Sequence, residues 1–176
     1  MSSTPIINVN LTVNGKTYVH KVPASLPLVD FLHEEVGLTG TKFSCGIGVC
    51  RACTVAACRV PQAHPVPTLA CSTPVSELNG QVITTVEGLA GPSGPSPLQQ
   101  AFLEEFAFQC GYCTPGFLMA THMLMERLRK EPIPEAQLDA AIQDACGSHI
   151  CRCTGYARYY AAIRKVILGT PGLIAR

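Results

Sequence analysis

Alternating apolar and polar positions predict a β-hairpin near the start of the chain. Residues 5–22 alternate and are rich in β-branched side chains, and Asn14-Gly15 between the two runs is a strong turn signal. Apolar positions within residues 27–36 instead recur at helical spacing, which predicts a short helix. Further short strands are predicted at residues 53–60, 67–71 and 81–86. A β-β-α-β order with a cysteine-rich loop after the helix favours a small β-grasp domain.

Helical periodicity dominates the second half of the chain. Residues 88–97 contain three glycines and three prolines, and this composition predicts a linker. Apolar residues then recur at three- and four-residue spacing in four stretches, residues 97–108, 115–130, 134–146 and 155–168. Four helices of this length favour a compact bundle. The sequence therefore predicts an α+β chain, with a β-grasp domain over 1–87, the linker over 88–97 and a four-helix domain over 98–176.

The charge balance narrows the classes of function. The 176 residues carry 13 basic and 12 acidic side chains, a formal net charge of +1, which argues against a nucleic-acid partner. Charged residues make up only 14% of the chain, whereas about 25% is usual. We therefore expect a tightly held partner protein to cover part of the surface.

The sequence shows neither a membrane-spanning stretch nor a signal peptide, and this bears on the location of the protein and on the role of its cysteines. No stretch is apolar over the ~18 residues that a membrane span requires, so no direct membrane insertion is expected. The N-terminal residues lack the basic and apolar regions of a signal peptide. The expected location is the cytoplasm, or the periplasm where a complex is exported on a partner's signal. The ten cysteines are expected to serve metal or redox chemistry rather than disulfides.

The first group of cysteines has the spacing of an iron–sulfur ligand set. Cys45, Cys50 and Cys53 are spaced C-x4-C-x2-C, and Cys71 follows after seventeen intervening residues. Plant-type ferredoxins hold a [2Fe-2S] cluster with this spacing, because a loop must wrap four thiolates around two irons. A zinc site is the alternative, although a zinc ribbon usually has two C-x2-C pairs and this half has one.

A second group of cysteines lies in the helical half. Cys110 and Cys113 form a C-x2-C pair, and Cys151 and Cys153 form a C-x-C pair. The two pairs can share one metal site if they lie at neighbouring helix ends. From spacing alone, zinc and iron–sulfur remain equally open at this second site.

Two cysteines and one histidine stand beside these groups. We interpret Cys58 and Cys146 as small buried apolar residues, although Cys146 lies close enough to Cys151 in sequence to compete as a ligand. His149 also flanks the second group. We expect it to pack or to donate a hydrogen bond rather than to act as a Rieske-type ligand, since four cysteines already suffice.

Five sequence motifs together resemble the small iron–sulfur subunit of the molybdenum hydroxylases, the xanthine dehydrogenase and aldehyde oxidase family. They are VGLTGTKFSCGIGVCRACTV at 36–55, LACSTPV at 69–75, ITTVEGL at 83–89, SPLQQAFLEEFAFQCGYCTPGFLMA at 96–120 and CRCTGY at 151–156. The resemblance covers nearly the whole chain. It implies a ferredoxin-like domain and a four-helix domain, each with one [2Fe-2S] cluster, so the second site is also expected to hold iron.

The resemblance also implies partners and a role. Gln109 and Cys153 would contact the pterin of a molybdopterin cofactor that a separate large subunit holds. That subunit would oxidise an aldehyde or an N-heterocycle, and the two clusters would carry the electrons to a flavin or cytochrome c subunit. The chain would be the electron-transfer subunit of a molybdenum-dependent aldehyde dehydrogenase or hydroxylase, with no catalytic site of its own. The alternatives are a stand-alone ferredoxin-like carrier and a zinc-stabilised interaction module.

The sequence departs from the family pattern at three places. Arg51 stands where the family usually has glycine, and Gly147-Ser148-His149-Ile150 precedes the C-x-C pair where the family usually has Gly-Asn-Leu. The segment from Cys113 to Cys151 is also longer than usual, which brings Cys146 near the expected count of the third ligand. Cys151 is still the expected ligand because the CRCTGY motif is intact.

Overall fold

The computed structural model describes residues 4–59 and 64–175, which form a mixed α+β structure with a five-stranded sheet. The strands are β1 (Ile6–Val13), β2 (Lys16–Pro23), β3 (Thr54–Cys58), β4 (Val66–Leu69) and β5 (Val82–Thr84). The predicted α+β class is thereby confirmed. Residues 1–3 and 60–63 of the predicted first domain, and residue 176 of the predicted helical domain, lie outside the described residues. Residue 60 is also the last residue of the predicted third strand.

The sheet has the strand order β2-β1-β5-β3-β4. β1 and β2 form the predicted hairpin, and both turn residues, Asn14 and Gly15, have positive φ angles of 49° and 82°. Positive φ at both positions is typical of the type I′ turn that suits a two-residue hairpin loop. β5 runs parallel to β1 and antiparallel to β3, so it ties the hairpin to the second pair of strands.

The helix predicted at 27–36 is present, but it changes from α-helical to π-helical geometry along its length. It begins as α1 (Leu28–Asp30) and continues as a wider π-type turn over Phe31–Glu35. The chain leaves it at Gly37, whose φ of 77° favours glycine. The apolar face of this helix packs on the sheet, so the cysteine-rich loop that follows starts from a fixed point.

Four α-helices follow at the predicted places: α2 (Pro97–Glu104), α3 (Thr114–Lys130), α4 (Leu138–Cys146) and α5 (Ala157–Gly169). The stretch predicted as a helix over 97–108 ends early, since Phe106 adopts a left-handed φ of 48°. The stretch predicted from residue 134 opens with a 3-10 turn at Glu135–Gln137 before α4 begins. The early end of α2 matters most, because it releases Gln109 and Cys110 into a loop.

The buried apolar side chains form two cores. One lies between the sheet and α1 and includes Leu11, Phe31 and Ile83; the other lies among the four helices. In the helical core the rings of Phe117 and Tyr159 stack at 4.2 Å between centroids. None of the helices in the two described ranges is both long enough and apolar enough to cross a membrane.

The start of α2 offers a test of the fold. Ser96 Oγ accepts the N–H of Gln99 at 3.3 Å, and Gln99 Oε1 accepts the N–H of Ser96 at 2.8 Å, which is a capping box. We expect Ser96→Ala to cost about 1 kcal/mol. For a chain of this size that loss lowers Tm by about 2–4 °C, measurable by thermal unfolding. Ser93→Ala, in the exposed turn before α2, is the control and should leave Tm unchanged; equal losses in both variants would contradict the assignment of the cap.

Candidate metal centres

The first pair of thiols lies in the loop that follows α1. The backbone N–H of Cys50 donates to Cys45 Sγ at 3.4 Å. The N–H groups of Cys50 and Ile47 lower the pKa of Cys45 to about 6. The loop can aim these amides because Gly46 and Gly48 have positive φ angles of 71° and 73°. The loop is therefore shaped to stabilise negative charge on sulfur before any metal binds.

The second pair closes the same site from the sheet. Cys53 directly precedes β3, Cys71 follows β4, and the N–H of Ala70 donates to the carbonyl of Cys53 at 3.2 Å. Both thiols are buried. Burial raises the pKa of Cys53 to about 12, and the thiol of Cys71 beside it adds to the effect. The antiparallel pairing of β3 with β4 thus brings together cysteines that are distant in sequence.

The helical half brings its four cysteines together in two pairs. Cys110 Sγ and Cys153 Sγ lie 3.6 Å apart, and both residues are exposed. Cys113, at the N-terminus of α3, neighbours the buried Cys151. Burial raises the pKa of Cys113 to about 11. One pair therefore faces solvent and the other faces the helical core.

Tyr159 supports the inner pair. Its hydroxyl lies 3.4 Å from Cys113 Sγ and 2.8 Å from Thr114 Oγ1. Thr154 Oγ1 lies 3.1 Å from Cys151 Sγ. Hydroxyl groups at these distances can donate to a thiolate and so stabilise the metal-bound form.

The pairwise arrangement decides what kind of group these residues fit. In each site the thiols stand two by two rather than around one point. Among residues 4–59 and 64–175, no three histidine, cysteine or acidic side chains are arranged to hold a single metal ion. A [2Fe-2S] cluster needs two thiolates on each of two irons, and sulfur donors suit iron–sulfur centres. Both sites fit such a cluster.

Cys146 is part of the helical core. It is fully buried, and its Sγ lies 3.7 Å from Thr121 Oγ1 on α3. Burial raises the pKa of its thiol to about 11. Its surroundings match the interpretation as a small buried apolar residue. Cys58, at the end of β3, is only half-buried, so its interpretation as a buried residue is wrong.

The side chain of His149 contacts strand β3 and the helical core. Its Nε2 lies 3.3 Å from Thr54 Oγ1, and its ring centroid lies 5.0 Å from that of Phe117. Burial lowers its pKa to about 4, and the positive charge of Arg51 acts in the same direction. Its neutral ring packs and hydrogen bonds, as expected.

A contact between the two metal sites was not visible in the sequence. The backbone N–H of Ile150 donates to the carbonyl of Cys50 at 3.1 Å, and Ile150 directly precedes Cys151. Arg51 adopts a positive φ of 61°, which costs a non-glycine residue roughly 1–2 kcal/mol. The departures from the family pattern at Arg51 and just before Cys151 were the sequence signals that pointed to this region.

Gln109 lies beside the outer thiol pair. Its Nε2 donates to the carbonyl of Cys153 at 3.0 Å, and Gln109, Cys110 and Cys153 are all exposed. The two residues expected to contact a pterin are therefore neighbours on one surface.

Comparison with known proteins identifies both halves. The family model described as "2Fe-2S iron-sulfur cluster binding domain" matches residues 11–76. The model described as "[2Fe-2S] binding domain" matches residues 85–164. These two matches support one [2Fe-2S] cluster in each half of the chain.

Relatives match along the length of the chain. The nicotinate dehydrogenase small FeS subunit of Eubacterium barkeri is 38% identical over an alignment that covers 92% of this chain and 95% of that subunit. Aldehyde oxidase 4 of Cavia porcellus is 39% identical over 82% of this chain, which corresponds to 11% of that protein. The related sequence is thus a separate subunit in one case and a small part of a long chain in the other.

Solved structures agree with these matches. Quinoline 2-oxidoreductase from Pseudomonas putida 86 has a chain that superposes with a TM-score of 0.78 at 34% identity, covering 96% of this chain and 93% of that one. The aldehyde oxidoreductase from Desulfovibrio desulfuricans superposes with a TM-score of 0.78 at 30% identity, covering 96% of this chain and 18% of that one.

The competition between Cys146 and Cys151 can be decided by substitution. We expect Cys151→Ser to lower the iron content from about four to about two per chain, because one four-cysteine set is broken. Cys146→Ala should keep both clusters and lose only stability, since its thiol packs in the core. Iron analysis and EPR of the reduced proteins measure both outcomes; loss of a cluster signal in Cys146→Ala alone would overturn the assignment.

Proposed function

The chain belongs to the small iron–sulfur subunits of the molybdenum hydroxylase family, and on that premise we propose how it conducts electrons. The proposed route starts at a molybdopterin site in a partner large subunit, passes through the helical cluster and then the ferredoxin-like cluster, and ends at an external acceptor. The observation that carries this proposal is the arrangement of eight cysteines as four pairs in two linked sites.

The fold supports a division of the chain into two domains that each bind one cluster. We assign the sheet and α1 to a β-grasp, ferredoxin-like domain over 1–87, and α2–α5 to a four-helix domain over 98–176, joined through 88–97. The sheet order with β5 parallel to β1 and the two separate apolar cores support this division.

Each half supplies four sulfur ligands in this proposal. Cys45, Cys50, Cys53 and Cys71 would hold the first cluster, and Cys110, Cys113, Cys151 and Cys153 the second. When bound, each cluster accepts and releases one electron at a time. The amides that donate to Cys45 and the hydroxyl beside Cys113 stabilise the added negative charge, and so raise the tendency to accept an electron.

The outer thiol pair defines the proposed entry point for electrons. Gln109 and Cys153 are exposed neighbours, and we assign them to the contact with the pterin of the large subunit. Gln109 holds the carbonyl of Cys153 and so orients the backbone of that ligand. Leu103 and Phe106, which precede Gln109, are large exposed apolar residues that suit coverage by a partner chain.

The loop of the first site defines the proposed exit. Phe43, Ile47 and Val49 expose large apolar side chains around Cys45 and Cys50. Such a surface suits docking of an acceptor protein, for which we propose a flavin or cytochrome c subunit. Relatives named for nicotinate, caffeine, quinoline and aldehydes support an aldehyde or an N-heterocycle as the substrate of the large subunit.

The cluster content tests this function. We expect the protein purified with its partners to contain about four irons per chain and, after reduction with dithionite, two distinguishable S = 1/2 EPR signals. The co-purifying large chain should contain molybdenum. A colourless protein that holds zinc would favour the interaction module, and two clusters without any molybdenum-containing partner would favour the stand-alone carrier.

Gln109 provides a test of the entry point. We expect Gln109→Ala to leave both EPR signals intact, because no sulfur ligand is lost, and to slow cluster reduction by substrate several-fold. Stopped-flow absorbance of the holoenzyme measures that rate. Gln100→Ala, an exposed glutamine on α2 that pairs with Glu104, is the matched control and should have no effect. An unchanged rate in Gln109→Ala would remove Gln109 from the proposed contact.

A further inference from the structure

We propose that contacts between the Cys50–Thr54 segment and the helical half set the separation of the two clusters, with Gly116, Thr54 and His149 as positioning residues for electron transfer between them. We call these contacts the intercluster clasp. In the first half of the chain it consists of the carbonyls of Cys50 and Arg51 and the side chain of Thr54. In the helical half it consists of Gly116, His149 and Ile150. The inference rests on the proposed function, because it requires both clusters.

The first contact of the clasp joins ligand to ligand through the backbone. The carbonyl of Cys50 accepts the N–H of Ile150 at 3.1 Å. Cys50 is a proposed ligand of the first cluster, and Ile150 is bonded to Cys151, a proposed ligand of the second. A change in this contact therefore moves one ligand loop relative to the other.

The second contact is a close approach that only glycine permits. A Cβ at Gly116 would lie 2.3 Å from the carbonyl oxygen of Arg51 and 3.2 Å from Ala52 Cα. Both obstacles are backbone atoms, so no side-chain rotation relieves the clash. Gly116 lies in the first turn of α3, three residues after Cys113. This close approach therefore fixes Cys113, in the second site, against the loop that carries the cysteines of the first site.

The third contact is a buried hydrogen-bond chain. The hydroxyl of Thr54 donates to the carbonyl of Arg51 at 2.8 Å. Thr54 Oγ1 can in turn accept the Nε2–H of His149, since these two atoms lie 3.3 Å apart. Thr54 and His149 are 2% and 3% exposed, so water does not compete for these partners. The chain ties the Arg51 peptide to the residue two positions before Cys151.

These three contacts converge on one short segment. Each joins the Cys50–Thr54 segment to a residue within three positions of a cysteine in the helical half. The contacts are made by carbonyl, amide, hydroxyl and imidazole groups and by no thiol, so none of them is required to hold iron. Electron transfer between centres falls steeply with distance, and the magnetic interaction between two paramagnetic centres also depends on their separation. The clasp should therefore control both quantities.

Gly116→Ala is the steric test. The added methyl group must push α3 from the Arg51 carbonyl, so both EPR signals should persist while their mutual magnetic interaction weakens. The rate of electron transfer from the second to the first cluster should fall several-fold in the holoenzyme. Gly169→Ala, in the last turn of α5, adds the same methyl group where no atom outside the adjoining backbone lies within 4 Å, and it should change neither quantity.

Thr54→Val tests the hydrogen-bond chain without a steric clash, and it keeps the proposal falsifiable if Gly116→Ala does not fold. Valine preserves shape and suits β3, but it removes the hydroxyl that joins Arg51 to His149. The matched control is Thr121→Val, which removes an equally buried hydroxyl bonded to the Phe117 carbonyl inside the helical core. Of these two threonine variants, only Thr54→Val should weaken the magnetic interaction and slow electron transfer between the clusters.

The outcomes separate this inference from the proposed function. If the wild-type protein lacks two cluster signals, the proposed function fails before the variants are compared. If the wild type has both signals and Thr54→Val matches it in magnetic interaction and transfer rate, the clasp does not position the clusters and the inference is overturned. If Thr121→Val changes these quantities as much as Thr54→Val, the effect is general loosening and the inference is also overturned.

Discussion

Four thiolates that share one small volume repel each other, and the rest of this structure is arranged around that repulsion. Metal ions neutralise the charge, so cluster binding contributes to folding as well as to redox chemistry. Before metal binds, burial keeps Cys53 and Cys113 protonated, since it raises their pKa to about 12 and about 11. Amides that donate to Cys45 act in the opposite direction and lower its pKa to about 6. In the first half of the chain, Cys45, whose ionised form is favoured, thus belongs to the same group of cysteines as Cys53, whose protonated form is favoured.

The two halves of the chain bring their four cysteines together by different kinds of packing. In the sheet half, a glycine-containing loop supplies two sulfurs, and the pairing of β3 with β4 delivers Cys53 and Cys71 together. In the helical half, two short cysteine motifs meet because α3 and α5 pack through Phe117 and Tyr159. Stacked aromatic rings therefore hold the second site, where hydrogen-bonded strands hold the first.

The sequence was most informative where local chemistry has few solutions. Asn14-Gly15 predicted the hairpin because few other residue pairs adopt two positive φ angles, and the cysteine spacings predicted both ligand groups. The early end of α2 at Glu104 was missed, since helical spacing continues past the residue at which Phe106 turns left-handed. The approach of Gly116 to Arg51 was also missed, because it depends on the packing of two halves that are distant in sequence.

The uneven burial of the second site has a consequence for energetics. Cys151 is buried and Cys113 half-buried, whereas Cys110 and Cys153 face solvent. Water around one end of a cluster screens added charge, and its removal changes the reduction potential. In the proposed complex, a large subunit covers that end and excludes water from it. The driving force for electron transfer into the helical cluster is therefore set only in the assembled enzyme. Docking of the large subunit changes it by lowering the local dielectric constant around Cys110 and Cys153.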